Sequence, residues 1–264
     1  MMQVNEAAAI PGRLRHRTPV FAGKGGPVTK IRRLLPALLA ASIAAPAFAG
    51  PDGGVSTPML SRCAGKAGLE TRQSDAAFGL LALDGAPWLS IERTDEAVGI
   101  QPIMTTVTGT GSRHRRNGTS VPFRFTCVLD ANGQPLMFHA SLLMPKLGDT
   151  LPPATVISGT ATLVEKTALP RGVELQLQLF DIARSADGEL LAEQVVRSGW
   201  QVPIPFDLRL PASFSTQGRK LILTARLVAA HQVQYRLPAP RALTDREILA
   251  PVVLTLERPE SKGP

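Results

Sequence analysis

The chain has 264 residues, of which 44% are hydrophobic and 19% charged, so its composition excludes a disordered or fibrous protein and allows one or two packed domains. Its formal net charge of +8 comes mainly from residues 1–49, which hold seven Lys or Arg and one Glu. The remaining residues are nearly balanced in charge, so we expect no nucleic-acid partner.

Residues 30–49 have the order of parts found in an export signal. Cations precede an apolar run, and small residues follow it at the spacing of a cleavage site. These parts are Lys30, Arg32 and Arg33, then residues 34–45, then Ala47 and Ala49. We predict that residues 1–49 are a signal peptide cleaved after Ala49, which places the mature protein in the periplasm.

Residues 1–27 do not resemble the start of a signal peptide, because they are rich in Gly, Pro and Arg and lack apolar periodicity. Translation from Val28, if its codon is GTG, would give a compact basic segment before the apolar run. A start at Met1 is the alternative, and the mass of the intact precursor distinguishes the two.

The apolar run of about twelve residues is too short to cross a hydrocarbon core of about 30 Å as a helix. Lipoproteins carry a cysteine directly after the cleavage site, whereas Gly50 occupies that position here. We therefore expect neither a transmembrane anchor after cleavage nor lipidation.

Cys63 and Cys127 both lie in the exported portion, where the environment is oxidising. We predict a disulfide between them, which would stabilise the fold by about 3–4 kcal/mol by closing a long loop. Two buried free thiols are the alternative.

Residues 57–145 are predicted to form a small α+β domain that contains both cysteines. Thr57 and Pro58 favour a helix start. Short strands are predicted at residues 88–93 and 103–108, and a hairpin at residues 123–140 turns at Asn132-Gly133. A Pro-rich linker, residues 146–154, follows this domain.

Residues 155–258 show period-two alternation and no helical period, which is typical of antiparallel strands with one buried face. The clearest alternation is in residues 173–179, which indicates a half-buried strand. Seven strands are predicted, at residues 157–165, 173–179, 191–197, 202–210, 221–227, 233–237 and 252–257. The fold class is therefore mainly β, a seven-stranded antiparallel β-sandwich preceded by the small α+β domain.

Several segments of the second domain, in the same order and at the same spacing, resemble the YbaY and YscW family. They are residues 158–160, 169–172, 179–183, 192–194 and 201–206. The resemblance covers roughly residues 155–258 and implies a β-sandwich. The family includes the pilotins of type III secretion, which are lipoprotein chaperones that bring a secretin subunit to the outer membrane, together with many uncharacterised envelope lipoproteins.

Two features of this chain depart from that family. The lipid-anchoring cysteine is missing, and Ala229-Ala230-His231 stands where related sequences place a Gly in a turn. We therefore expect a longer or differently shaped hairpin there. The N-terminal domain resembles no family that we can name.

Catalytic and metal-binding patterns are not evident in the sequence, so we predict no catalytic residue, no metal and no cofactor. The three mature histidines, His114, His139 and His231, are isolated along the chain. Asp181 and Asp207 fall near strand ends, where turn solvation is a commoner role than acid–base chemistry.

Two segments are candidates for binding a partner. Arg113, Arg115 and Arg116 form a basic loop that could bind an anionic envelope component, or could be a solvated hairpin tip. Val202, Ile204 and Phe206 could form an apolar edge that accepts a client strand. The alternative is that Ile204 and Phe206 are core residues and that Pro203 and Pro205 mark an edge strand.

The favoured function is therefore a non-enzymatic periplasmic binding or chaperone-like protein of the cell envelope, which binds a client through the β-sandwich. A second hypothesis is an envelope protein in which the N-terminal disulfide domain carries the activity. An enzyme with a site between the domains is the third and least favoured.

Overall fold

The structure is a computed structural model that describes residues 56–74, 78–98, 100–115, 119–185, 187–199 and 202–260. The predicted signal peptide lies outside these ranges. The helices are α1 (Ser56–Ser74), the one-turn α2 (Asp245–Ile248) and a 3-10 turn at Pro145–Leu147. Neither α-helix of the described ranges is long and apolar enough to cross a membrane.

The strands of the described residues make the protein mainly β, as predicted. They are β1 (Phe78–Asp84), β2 (Ser90–Val98), β3 (Gln101–Arg115), β4 (Ser120–Leu129), β5 (Pro135–Leu142), β6 (Ala154–Leu163), β7 (Val173–Asp181), β8 (Glu189–Ser198), β9 (Ile204–Pro211), β10 (Leu221–Ala229), β11 (Gln232–Arg236), β12 (Arg241–Leu243) and β13 (Val252–Leu256).

Ten strands form one large antiparallel sheet in the order β11-β10-β7-β8-β1-β3-β4-β5, with β12 on β10 and β2 on β3. Strand β1 is the junction of this sheet, because Leu81 pairs with Arg113 of β3 and with Arg197 of β8. Strands from both sides of the predicted linker therefore belong to the same sheet.

Three strands form a small sheet in the order β13-β6-β9. Strand β9 pairs antiparallel with β6, whereas β13 pairs with β6 in parallel, for example Leu254 with Ala161. The seven predicted strands are all present and divide between the two sheets. The prediction of a purely antiparallel sandwich is wrong at the β6–β13 pair, which is parallel. Between β9 and β13 the chain forms β10, β11 and β12 of the large sheet, and it then re-enters the small sheet beside β6.

The larger hydrophobic core lies between the two sheets. Alternate residues of β7, β8 and β10 meet those of β6, β9 and β13, as period-two alternation requires. Ile157, Leu177, Leu208 and Leu223 are fully buried there.

A second core lies on the opposite face of the large sheet, beneath α1. Leu60, Cys63, Ala64 and Ala67 fall on one side of the helix at the three-to-four-residue spacing of a helical face, and all are fully buried. They pack on aromatic side chains of β4 and β5, where Phe125 stacks on Phe138 with ring centroids 5.5 Å apart. The large sheet is thus covered on one face by the small sheet and on the other by α1.

Strand β7 is buried on both faces, so its prediction as a half-buried strand is wrong. Its polar residues Glu174, Gln176 and Gln178 are each 7% exposed. Hydroxyl groups of α1 contact Glu174 and Gln178, and the Arg226 Nε donates to Gln176 Oε1 at 2.6 Å. The polar side chains of β7 therefore anchor the layer above the sheet.

Two turns differ from their predictions. In the β4–β5 hairpin, Gly133 has a positive φ of 70°, and Asn132 does not share it. Between β10 and β11, Ala230 and His231 both have positive φ, at 49° and 63°. That hairpin is a tight two-residue turn, so of the two predicted alternatives, a longer or a differently shaped hairpin, the longer one is wrong.

Candidate functional site

Helix α1 is covalently attached to the large sheet. Cys63 and Cys127 form the predicted disulfide, with Sγ atoms 2.07 Å apart and Cα atoms 6.0 Å apart. Both cysteines are fully buried. The bond joins the first half of α1 to the C-terminal half of β4 and so fixes the helix above the sheet.

The first turns of α1 are also held by two carboxylates of the sheet. Ser56 Oγ donates to Glu193 Oε2 at 2.7 Å, and the Thr57 hydroxyl donates to the other oxygen of Glu193. Farther along, Ser61 donates to Glu174, which also accepts from Arg197 Nη1 at 2.5 Å. A carboxylate near the helix N-terminus is also favoured by the helix dipole.

An open groove lies beside the N-terminal half of α1, between the helix, the β2–β3 pair and the β4–β5 turn. Its volume is about 630 Å³, and it is open to solvent along one side. Its apolar lining comes from Met59, Met104 and Leu129, and its charged lining from Arg62, Arg93 and Asp130. The remaining lining residues are Thr94, Thr105, Ala131, Asn132 and Gly133. We call this the α1 groove.

The end wall of the α1 groove is a turn braced by hydrogen bonds. Asp130 Oδ1 accepts the backbone N–H groups of Asn132 and Gln134 at 2.8 and 2.7 Å. Arg62 Nη1 donates to the carbonyl oxygens of Asn132 and Gly133 at 3.0 and 2.8 Å. The carboxylate of Asp130 is thus engaged by its own turn, and the two arginines give the groove an excess of positive charge.

The predicted client edge lies largely in the core. Ile204 and Phe206 are 1% and 3% exposed and face the large sheet, while Val202 is half-buried against the same cluster. Their side chains therefore stabilise the sandwich and do not form an exposed apolar surface. Pro205 lies on β9 at the edge of the small sheet, which confirms the edge-strand prediction.

The backbone of β9 is also closed on the side away from β6. The Gln194 side-chain amide makes the two hydrogen bonds that a neighbouring strand would make at Asp207. Its Nε2 donates to Asp207 O at 2.7 Å, and its Oε1 accepts from Asp207 N at 3.2 Å. Trp88 Nε1 donates to Arg209 O at 2.9 Å. These bonds occupy three of the backbone groups that an added client strand would need.

The predicted basic loop is partly strand. Arg113 and Arg115 lie in β3, and Arg116 is outside the described residues. The Arg113 guanidinium lies over the Phe123 ring, 5.3 Å from its centroid, and is half-buried. Arg115 is exposed. The structure therefore places Arg113 against the second core, and not in a solvated hairpin tip.

A buried polar network that the sequence did not suggest joins the two sheets. Asp84 accepts from Thr110 Oγ1 at 2.7 Å, from Gln194 Nε2 at 3.1 Å and from Arg209 Nη1 at 3.2 Å. Burial raises the pKa of Asp84, whereas these hydrogen bonds and the Arg209 charge lower it. The Arg209 guanidinium also lies 4.8 Å from the centroid of the Trp88 ring. The network links β1, β3 and β8 to β9.

His114 and the two predicted carboxylates have separate partners. His114 Nε2 lies 3.0 Å from Ser112 Oγ, and burial lowers its pKa while the charge of Asp207 raises it. Asp207 accepts from Ser158 Oγ at 2.7 Å. Hydrogen bonds from the Lys220 and Ala183 amides lower the pKa of Asp181. The contacts of the described residues form no hydrogen-bonded Ser–His–Asp series and no paired carboxylates.

Within the part of the chain that the structure describes, no three His, Cys, Asp or Glu side chains come together as a metal site. The sequence analysis missed the α1 groove, because Met59, Arg93 and Asn132 come from three separate elements. The sequence did indicate two parts of the groove, the start of α1 and the hairpin turn at Asn132-Gly133. Neither signal shows that these elements meet.

The match to a known protein family lies in the second half of the chain. Residues 152–242 match the family model described as type III secretion system lipoprotein chaperone (YscW). A similar solved structure is an alternative pilotin from the type II secretion system of Vibrio cholerae, with 20% sequence identity and a TM-score of 0.37. That similarity covers 41% of this chain and 100% of the other.

No curated protein matches the chain. The family match begins just before β6 and ends within β12, so it leaves out α1, β1 to β5 and β13. The resemblance to the YscW family predicted from the sequence is thus confirmed over residues 152–242.

Proposed function

We propose that this protein is a non-enzymatic, chaperone-like accessory protein of the cell envelope that binds a protein client through the α1 groove. The match of residues 152–242 to the type III secretion system lipoprotein chaperone family carries the chaperone-like role, and the geometry of the α1 groove supports the place of binding. That description supports a role in holding or delivering another protein.

The lining of the α1 groove suits a peptide segment. Met59 and Met104 are half-buried, and methionine adapts its shape to different apolar partners. Arg62 and Arg93 add positive charge, so the favoured client segment combines apolar residues with at least one carboxylate. A segment of this kind would bury its apolar side chains while the arginines fix its orientation.

The position of the α1 groove favours the second hypothesis from the sequence. Every described lining residue lies between Met59 and Gly133, outside the family match. The sandwich then supports the groove, and the disulfide domain carries the binding surface. The envelope location is supported by the family description, and the periplasm and cleavage after Ala49 by the signal-peptide pattern.

A site-specific photo-crosslinker tests this function in the source bacterium. The crosslinking amino acid replaces Met104 in the groove or, as a matched control, Thr162 on the outer face of the small sheet. We expect an adduct with an envelope protein from position 104 and none from position 162. The amount of that protein in the outer-membrane fraction is then measured after deletion of the gene.

Complementation of the deletion strain distinguishes a loss of binding at the α1 groove from a general loss of folding. Met104→Asp and Arg93→Glu should fail to restore the crosslinked protein to the outer membrane, whereas Leu249→Asp should restore it, since Leu249 is 84% exposed and distant in sequence from the groove. Normal outer-membrane levels in the deletion strain, or equal adducts at both positions, would contradict the proposed function.

A further inference from the structure

The edges of both sheets differ sharply in how they are protected. An edge strand presents unpaired N–H and C=O groups that can pair with another chain, and proteins usually cover or charge such edges. The edge strands of the described residues are β9, β13, β11, β12, β2 and β5, and all but β5 either have some backbone groups covered or carry charged side chains.

Each edge of the small sheet has backbone groups that side chains occupy. Gln194 bonds to Asp207 N and O of β9, and Trp88 bonds to Arg209 O. At the other edge, Arg241 Nη1 donates to the Val253 carbonyl oxygen of β13 at 2.7 Å. These side chains stand in for a neighbouring strand.

The last residue of β11, at one end of the large sheet, is bonded to another part of the chain. Arg236 N donates to Glu257 O at 2.8 Å, and Glu257 N donates to Arg236 O at 2.9 Å, which joins β11 to the residue after β13. Strand β2 has one neighbour, β3, but its sequence carries Glu92, Arg93, Asp95 and Glu96. Charges on an edge strand oppose pairing with another chain.

Strand β5 has neither form of protection. Its eight residues, Pro135–Leu142, carry no Asp, Glu, Lys or Arg and span roughly 27 Å at the usual rise per residue. It pairs on one side with β4, and Leu143 N donates to Pro122 O on that side. By strand alternation, Phe138, Ala140 and Leu142 direct their backbone groups away from β4. No other hydrogen bond reaches these groups within the described residues.

The side chains around this edge are exposed and apolar. Met137 and Leu142 are each 48% exposed, and Met144 and Leu147, in the segment that follows β5, are 57% and 78% exposed. A surface of this composition is typical of an interface between protein chains. His139 is the one titratable side chain on the strand.

We infer that β5 is a homodimer interface, in which two copies pair antiparallel about a twofold axis near Ala140. The strand is its own complement, because an uncharged apolar edge meets an identical uncharged apolar edge and places Phe138 beside Leu142 of the second copy. A charged client segment would leave charges desolvated there. The two large sheets become one continuous sheet, as an isologous interface permits.

Ala140→Pro is the sharpest test, because it removes a backbone N–H that points to the second copy while it leaves the ladder to β4 intact. The exported protein is studied by sedimentation equilibrium over a dilution series. The wild type should reach twice the mass of a single chain, and Ala140→Pro should remain at the mass of one chain. Hydrogen exchange should show protected amides at Phe138 and Leu142 in the wild type alone.

Leu142→Lys is a second variant that keeps every backbone group and adds a charge at the shared edge, so it should also give a monomer. His139→Ala is the control, since its backbone groups face β4, and it should remain a dimer. Circular dichroism verifies that each variant is folded. A monomeric wild type, or a dimer that survives both Ala140→Pro and Leu142→Lys, would overturn the inference and leave the proposed client binding unaffected.

Discussion

Ala230 and His231 show how a single turn can store strain. Both residues adopt the left-handed conformation in the two-residue loop between β10 and β11. This conformation costs a residue with a side chain about 1 kcal/mol or more, whereas Asn and Gly adopt it readily in this type of hairpin turn.

The double change Ala230→Asn with His231→Gly should therefore raise the free energy of unfolding by about 1 kcal/mol. Urea denaturation measures it as a higher midpoint with an unchanged slope. Gly218→Ala is the matched control, and it should lower the midpoint. Gly218 has a φ of 73°, which an alanine adopts at a cost, and a new Cβ would meet no atom within 4 Å, so no steric clash contributes. An unchanged or lower midpoint for the double change would show that the turn is not strained.

The same turn shows what sequence reasoning can reach at this scale. A missing Gly in a turn position suggested that the hairpin would lengthen, because a tight turn normally requires Gly or Asn. The structure keeps the tight turn, since the pairing of β10 with β7 and β11 fixes both of its ends. Pairing within the sheet therefore prevails over local preference at this position.

At the scale of elements, Glu193 is the main polar anchor of α1. The residue is 2% exposed, and its carboxylate accepts hydroxyl groups from Ser56 and Thr57 and lies 3.4 Å from Gln178 Nε2. Removing it leaves several buried donors without their acceptor, which is more costly than removing both partners of a bond.

Glu193→Ala should lower the free energy of unfolding by about 3 kcal/mol and loosen the first turns of α1. Hydrogen exchange with mass analysis should show faster exchange in the peptide from Ser56 to Leu60 than in peptides from β7. Glu189→Ala serves as the control on the same strand, because its side chain is 67% exposed. Equal exchange in both variants would show that the disulfide alone holds the helix.

Most strands were predictable because one face is buried and the other is not, and the resulting alternation is visible in β6, β9, β10 and β13. Strand β1 was missed for the opposite reason. Its sequence, Phe78-Gly79-Leu80-Leu81-Ala82-Leu83-Asp84, is nearly continuous in apolar residues, because both faces of a central strand are covered. The position of β1 between β8 and β3 could not follow from local pattern.

At the scale of the whole molecule, the disulfide joins α1 to a sheet that it otherwise contacts through packing and a few polar groups. The two cysteines are 64 residues apart in sequence, so the bond restricts a long loop of the unfolded chain. The chain-entropy model gives a stabilisation of about 4 kcal/mol for a loop of this length.

The double variant Cys63→Ala with Cys127→Ala should lose a large part of that stability, and the wild type in reducing buffer should show the same lowered midpoint in urea. The α1 groove should also become wider, because α1 is one of its walls and is no longer bonded to β4. The control is the double variant itself, whose midpoint should not respond to reductant. Equal midpoints for the oxidised and reduced wild type would contradict this account.

The α1 groove marks the limit of prediction from sequence at this scale. Each local part was foreseen: the helix start, the hairpin turn and the disulfide. The groove needs Arg62 of α1, Arg93 of β2 and the turn after Asp130 to lie together, which depends on the tertiary packing of three elements distant in sequence. Local sequence pattern carries no signal for that packing.

The place of β1 between β3 and β8 also sets the order in which its two neighbouring strands become available along the chain. Leu81 has its first neighbour, Arg113, soon after synthesis, but its second neighbour, Arg197, arrives only when most of the chain is complete. Until then one edge of β1 is open, and α1 lacks Glu193 and Glu174. The early half of the chain can pair β2 to β5 by itself, but the free edge of β1 and the polar contacts of α1 are completed only when β7 and β8 are present.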